Sequence, residues 1–256
     1  MQKYIFFLDV DGTLIEHGKD KITTKVVEEI KRLKALGHIF VICTGRSHSH
    51  AKLINNLQDF NYLAILFGSR IYNLDNDKIE YKSKNPNKKA TIALADYLLN
   101  KKISWSYKDE IGEKTPFLSM VNMRDDKDLV LINREDFLRD VKHGKIIQLL
   151  ATGRHKAELE PLFPEFDFFD MPDNYTDITR AGVSKEQCVN FFKKRFPNYT
   201  TVSMGDSQND LDMFARTDIS IAMGNASDEI KAKAKYVTKR VQQDGVAYAL
   251  TTILKL

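Results

Sequence analysis

Residues 4–14 read Tyr-Ile-Phe-Phe-Leu-Asp-Val-Asp-Gly-Thr-Leu. The run Tyr4–Leu8 is short, aromatic and apolar, the pattern of a strand buried on both faces at the centre of a parallel sheet. It stops abruptly at Asp9-Val10-Asp11-Gly12. Open α/β sheets gather their chemistry where strands end at the carboxyl edge, so two carboxylates stand where an active site is expected. The same four residues also suit a plain turn, since Asp and Gly favour turns.

The flanking sequence extends the pattern. Val26, Val27, Ile30 and Leu33 recur near helical spacing, which predicts a helix over about 24–35, with Thr23 as its cap and Gly37 as its stop. His38–Cys43 is a second buried strand, ending in Thr44-Gly45-Arg46. Strand, helix, strand is a βαβ unit, so Thr44 is expected at the same sheet edge as Asp9. A helix over about 49–57, a strand near 63–66 and a hairpin over 71–82, turning at Asp75-Asn76-Asp77, follow. Near Ser83 the texture changes. A helix over 88–100 and strand-like runs at 103–107, 117–123 and 145–150 read as a module with its own small sheet. Helical runs are expected at 125–141, interrupted near Leu131, and at 156–162. The parallel pattern resumes with a helix over about 184–196 and the strand Thr201–Met204, which ends in Gly205-Asp206-Ser207-Gln208-Asn209-Asp210. The expected fold class is therefore α/β. A parallel-sheet core over 1–82 and 177–256 carries an inserted α+β domain over 83–176.

Bulk composition narrows the function. The chain has 256 residues, 43% hydrophobic and 10% aromatic, enough for a sizeable core. Its net charge is +4, from 39 basic and 35 acidic residues, with no basic block that reads as a nucleic-acid stripe. No segment approaches the ~18 apolar residues of a membrane span and no leader pattern opens the chain, so a soluble cytoplasmic protein is expected. The cysteines, Cys43 and Cys188, are far apart and suggest neither a zinc site nor a disulfide framework; Cys43 reads as a small buried hydrophobe.

Asp9, Asp11, Asp206 and Asp210 would repel one another if they converge, and such clusters persist when a cation neutralises them. Carboxylate ligands with open water positions suit magnesium. Thr44 offers a hydroxyl, the turn through Gly45 offers backbone N–H groups, and Lys185 adds a compact positive charge for a phosphate. Together these groups point to phosphoryl transfer through an aspartyl intermediate. Asp9 would attack phosphorus. Asp11 would protonate the leaving alcohol and then deprotonate the attacking water.

The segments DVDGT at 9–13, ICTGR at 42–46, GVSKEQ at 182–187 and GDSQNDLDM at 205–213 resemble, in order, the four motifs of the haloacid-dehalogenase-like superfamily. The whole chain resembles its Cof-type branch, with a Rossmann-like core and an α/β cap inserted between the second and third motifs; the closing DGVAYAL at 244–250 is similar too. The resemblance implies a catalytic core and a cap that selects substrate. It implies Asp9 as nucleophile and Asp11 as acid/base. Mg2+ would be held by the Asp9 side chain, the Asp11 carbonyl and Asp206, with Asp210 supporting it through waters. Thr44 and Lys185 would bind the transferring group, and Asn209 the phosphate or the metal's surroundings. One departure stands out: the family often has Asn-Gly-Ala where this chain has Phe67-Gly68-Ser69.

The expectation is a magnesium-dependent phosphatase of small phosphorylated metabolites, sugar phosphates foremost, acting as a monomer or small homo-oligomer. A phosphotransferase or phosphomutase, or a non-catalytic binder of phosphometabolites, is the alternative. Arg46 reads as a clamp for an anionic substrate or as a structural ion pair. Ala151–His155 echoes 42–48 but lacks a D-x-D partner, and reads as a cap strand turning into a helix, with Arg154 a candidate substrate contact. His48 and His50 read as surface residues. Trp105 and Tyr107 read as cap core, Asp170, Asp173 and Asp177 as turn residues, and Asn225 as a turn residue or a support for the site.

Overall fold

The structure is a computed structural model that describes residues 2–19, 21–123, 129–171 and 174–256. The chain forms two compact units. The first comprises Met1–Arg46, Ala51–Lys82 and Ser184–Leu256; the second comprises Ser47–His50 and Ser83–Val183.

The first unit is built on an eight-stranded sheet. In chain order its strands are β1 (Tyr4–Leu8), β2 (Ile39–Cys43), β3 (Tyr62–Ile65), β4 (Arg70–Asn73) and β5 (Lys78–Lys82). The second unit supplies β6 (Trp105–Lys108), β7 (Glu113–Thr115), β8 (Leu129–Leu131), β9 (Gln148–Thr152), β10 (Phe166–Met171) and β11 (Tyr175–Arg180). The first unit then resumes with β12 (Thr200–Gly205), β13 (Ile219–Ala222) and β14 (Tyr236–Val237).

The first sheet runs β14-β13-β12-β1-β2-β3-β4-β5, parallel as far as β3 and antiparallel through the β4–β5 hairpin. As the apolar run implies, β1 is central and its last four residues are buried. Phe6 stacks on Phe40 at 4.7 Å, and Phe7 meets Phe192 edge-on at 5.8 Å, so the two rings serve opposite faces. Burying each ring contributes roughly 1.5–3 kcal/mol. Leu8 pairs with Ile42 on one side and Met204 on the other. The chain moves from β1 to β2 in one direction and later returns to β12 in the other, which opens a crevice at the carboxyl end of β1.

The helix Thr24–Ala35 buries Val26, Val27, Ile30 and Leu33, and Gly37 ends it at φ +83°. Thr23 makes no side-chain cap; its hydroxyl donates instead to Asp244 Oδ1 at 2.7 Å. The helix Lys185–Arg195 is capped by Ser184, which accepts from Glu186 N. The two cysteines meet in this core, Sγ to Sγ at 3.3 Å, as free buried thiols. Burial pushes the Cys188 thiol well above its ordinary pKa.

In the second unit a six-stranded sheet runs β10-β11-β9-β6-β7-β8, antiparallel except for β7 with β8. The helices Lys88–Asn100 and Arg134–Lys142 cover Trp105, Tyr107, Leu149, Ile178 and Phe168, which the strand registers place on one face. Three sequence expectations need correction. The run 117–123 contains the helix Leu118–Met123, not a strand; Pro116 suits a helix entry and the Leu and Met side chains, not branched at Cβ, suit its interior. The span 125–141 divides into β8 and the helix Arg134–Lys142, started by the Asn133 capping box; residues 125–128 lie outside those described. The inserted unit does not close at 176, because β11 pairs with both β9 and β10 and carries it to Val183. Among the described residues no helix is long and apolar enough to cross a membrane.

Candidate active site

Three strand ends of the first unit meet at one edge. Asp9, Thr44 and Asp206 leave the sheet one or two residues beyond the Leu8–Ile42 and Leu8–Met204 pairs. Lys185 opens its helix beside them and is fully buried. Its Nζ donates to Asp9 Oδ1 and to Asp210 Oδ1, each at 2.6 Å. Asp210 Oδ2 in turn accepts from the backbone N–H groups of Asp206 at 2.9 Å and Ser207 at 3.0 Å. The carboxylates of Asp9, Asp206 and Asp210 offer oxygens that all lie within 4.8 Å of one another.

Two glycines make this approach possible. A Cβ on Gly12 would sit 2.1 Å from Asp206 Oδ2, and Gly12 holds φ +82°. A Cβ on Gly205 would sit 2.3 Å from Asp210 Cγ. Asn225 ties the same turn together. Its Nδ2 donates to Gly12 O at 2.8 Å and to Asp206 Oδ2 at 3.1 Å, while its Oδ1 accepts from Val241 N at 3.0 Å.

The electrostatics follow from crowding carboxylates in a buried place. Burial raises the Asp9 pKa well above the usual carboxylate value; Lys185 opposes this, and Asp210, Asp206 and Asp11 reinforce it. Asp206 is pushed up to about 7, by burial first and by Asp210 next. Burial works against the charge on Lys185, yet Asp210 and Asp9 outweigh it and hold the ammonium protonated. Asp206 Oδ1 is buried and has no hydrogen-bond partner among the described residues. An all-oxygen donor set with an orphaned buried carboxylate oxygen fits a hard divalent cation.

Thr44 is buried beside this cluster, and its Oγ1 accepts from Arg46 N at 3.1 Å. Phe67 N donates to Thr44 O at 3.1 Å, and a Cβ on Gly45 would lie 3.0 Å from the Phe67 ring. The Phe67-Gly68-Ser69 turn thus braces the Thr44 loop through backbone and ring, with Phe67 at φ 56° and Gly68 at φ +83°. Asn209 lies in the turn between Asp206 and Asp210, its Oδ1 accepting from Ser207 Oγ at 3.0 Å. Arg46 holds Asp11 by a two-point fork, Nε to Oδ2 at 3.0 Å and Nη2 to Oδ1 at 2.6 Å.

The other candidates fall elsewhere. Trp105 and Tyr107 belong to the core of the second unit, where Tyr107 donates to Asp140 at 2.8 Å. Asp170 and Asp177 sit in strands, not turns; Asp170 accepts from His155 N and Thr176 Oγ1, and Asp177 from Gln148 Nε2. Asp173 lies outside the described residues. Arg154 is exposed in the second unit, in the loop after β9. His48 and His50 are half-buried, with His50 Nδ1 3.0 Å from Ser47 Oγ. The sequence marks Phe67 as a departure from the family turn but not as a brace, and does not mark His17, whose Nε2 lies 3.8 Å from Asp206 Oδ2.

Comparison with known proteins places this geometry. Over 266 aligned residues the chain is 29% identical to "Putative phosphatase YkrA" of Bacillus subtilis, covering 98% of this chain and 97% of that one. It is 26% identical, over 96% of both chains, to the 5-amino-6-(5-phospho-D-ribitylamino)uracil phosphatase YwtE of the same organism. Its fold matches the solved structure of a protein described as the subclass IIB sugar phosphatase BT4131, with a TM-score of 0.84, 22% identity and full coverage of both chains. The family model for haloacid dehalogenase-like hydrolases matches residues 6–250. The chain belongs to the haloacid dehalogenase-like hydrolases.

Proposed function

We propose that this protein is a phosphatase of small phosphorylated metabolites, sugar phosphates foremost, working through an aspartyl-phosphate on Asp9. The observation that carries the reading is the buried Asp9–Lys185–Asp210 chain of charges beside Asp206. Relatives named as phosphatases of small phosphate esters, phosphoglycolate and 5-amino-6-(5-phospho-D-ribitylamino)uracil among them, support it.

The roles follow from position. Asp9 presents a carboxylate at the end of a rigid central strand, as an in-line nucleophile requires. Lys185 neutralises phosphoryl oxygens as well as Asp9, and the Thr44 hydroxyl and the Gly45 turn donate hydrogen bonds to the same group. Asp11, two residues on and partly exposed, gives a proton to the leaving oxygen and later takes one from water. Mg2+ is the cofactor that fits: the Asp9 and Asp206 side chains and the Asp11 carbonyl would hold it, supported by Asp210. When bound, such an ion neutralises the clustered carboxylates and the charge on the phosphoryl oxygens. The catalytic groups all belong to the first unit, and we assign substrate choice to the inserted unit.

The test is hydrolysis of p-nitrophenyl phosphate and a panel of sugar phosphates by the purified protein, with and without magnesium. Turnover that needs the metal and disappears in Asp9→Asn is expected. An absence of metal-dependent turnover across the panel would overturn the reading.

A further inference from the structure

We infer that Arg46 is a positioning residue for Asp11: its fork sets the orientation of the carboxylate that moves the proton, and it does not grip the phosphoryl group. The inference rests on the phosphatase reading above and names a residue that controls it.

Three observations carry it. Among the described residues, both side-chain hydrogen bonds to Asp11 come from Arg46, at 3.0 and 2.6 Å, one to each oxygen. A guanidinium presents its donors in a fixed plane, so two such bonds define the direction of a carboxylate, as one bond or a point charge would not. The Asp11 side chain is otherwise 40% exposed, against 22% for Arg46, so it has room to rotate into water if the fork is lost. Arg46 itself starts from a fixed point. Its N–H donates to Thr44 Oγ1 at 3.1 Å, and its carbonyl accepts from Leu66 N at 3.1 Å. The turn carrying Asp11 is pinned in the same way, by Gly12 N donating to Ile15 O at 2.7 Å. Two anchored backbones joined by a rigid fork hold the acid/base in one place.

In the proton step one Asp11 oxygen stays on the guanidinium while the other faces the leaving oxygen. An Asp9 carboxylate oxygen bonds to phosphorus as the P–O bond to the leaving group breaks; the electron pair of that bond goes to the leaving oxygen, which takes the proton from Asp11 and leaves Asp11 a carboxylate. Misorienting Asp11 therefore harms the departure of a poor leaving group more than that of a good one.

The experiment compares Arg46→Ala and Arg46→Lys, each alone and combined with Asp11→Asn, on p-nitrophenyl phosphate and on an alkyl phosphate such as glycerol phosphate. Inorganic phosphate affinity is measured by calorimetry in the same proteins. Arg46→Ala is expected to lower kcat on the alkyl ester by about 10- to 100-fold, within the usual range of acid–base contributions, with KM little changed. The loss on the aryl ester is smaller, and Arg46→Lys recovers part of the alkyl activity only. In the Asp11→Asn background the Arg46 change costs nothing further, because its effect passes through Asp11. Phosphate affinity stays at the wild-type value. A full further loss in the Asp11→Asn background, or a tenfold weaker phosphate affinity in Arg46→Ala, would show that Arg46 binds the phosphoryl group and sink the inference. If Arg46→Ala does not fold, Arg46→Lys carries the same comparison. A wild-type protein without phosphatase turnover removes the underlying reading itself, an outcome visible before any variant is made.

Discussion

Lys185 Nζ and Asp9 Oδ1 lie 2.6 Å apart in a place from which water is almost excluded, with the lysine side chain fully buried and the aspartate nearly so. Such a pair is poorly replaced from one side. Removing one partner of a buried ion pair leaves an uncompensated charge, at a cost of about 3–5 kcal/mol. Lys185→Met is therefore expected to lower the urea midpoint of the metal-free protein more at pH 8 than at pH 5, because burial raises the Asp9 carboxyl well above its ordinary pKa and it takes up a proton more readily as pH falls. Equal loss at both pH values would contradict the assignment.

Asp9→Asn keeps the shape and removes the nucleophile. Turnover should fall by at least about 10⁴-fold, the scale of losing one member of a catalytic unit. Circular dichroism should show an unchanged fold. Retained activity would move the nucleophile elsewhere.

Asp206 sets a pH dependence whose sign is unusual for a carboxylate. Its pKa is about 7 when folded, against a reference of 3.8. The folded state therefore holds the proton more tightly than the unfolded one. The stabilisation from that proton is complete below the unfolded value and is lost as pH rises through about 7. Urea unfolding in chelator should show stability declining between those limits, and Asp206→Asn should remove the decline. Magnesium competes for the same carboxylate, so its affinity should rise over the same interval and then level off.

In the second unit the sign reverses. Burial alone would raise the Asp140 pKa, but bonds from Lys114, Tyr107 and Lys145 outweigh it and bring the group down to about 2. Its contribution is full above the reference value of 3.8 and is lost as pH falls toward 2. Asp140→Asn should flatten acid unfolding in that window while leaving the effect of Asp206 intact. Tyr107→Phe, which deletes the donor at 2.8 Å, should cost about 1–2 kcal/mol.

Gly12→Ala tests the crowding directly. The added methyl would lie 2.1 Å from Asp206 Oδ2, in a backbone conformation that suits glycine. Loss of about 1–3 kcal/mol and of magnesium binding is expected together, measured by thermal unfolding and calorimetry. Stability loss with normal metal affinity would separate Gly12 from the site.

Much of this arrangement can be read from residue order, because β1 and its neighbours are buried on both faces and write their nature as continuous apolar runs. The DVDG, TGR, GVSK and GDSQND segments each follow or open such a run, so their common edge is implied by βαβ connectivity. The second unit is harder. Tyr175–Arg180 has only Tyr175 and Ile178 as apolar residues, three apart, and Asp177 and Thr179 face the sheet side that carries Gln148; a buried polar face does not look like a strand in one dimension. Glu113–Thr115 is three residues of polar and charged type, held by its register with β6 and β8. Leu118–Met123 shows the opposite failure, an apolar run whose period is too short to declare itself. Arg46 could be placed near the site but not aimed, since two acceptors lay within reach of the sequence argument and only the fork on Asp11 shows which one it takes.

Asp9 and Lys185 are separated by 176 positions along the chain. As a polypeptide leaves a ribosome, β1 is therefore synthesised long before either β12, its sheet neighbour, or the ammonium that offsets its charge. The first unit cannot close until the last third of the chain has emerged, and the inserted unit, whose segments are nearly continuous, can be folded by then. The long detour is cheap: closing entropy grows only with the logarithm of loop length, so doubling an insertion adds about 0.6 kcal/mol. A chain organised this way can exchange the inserted segment for a longer or shorter one over evolutionary time while the edge that bears Asp9 stays as it is.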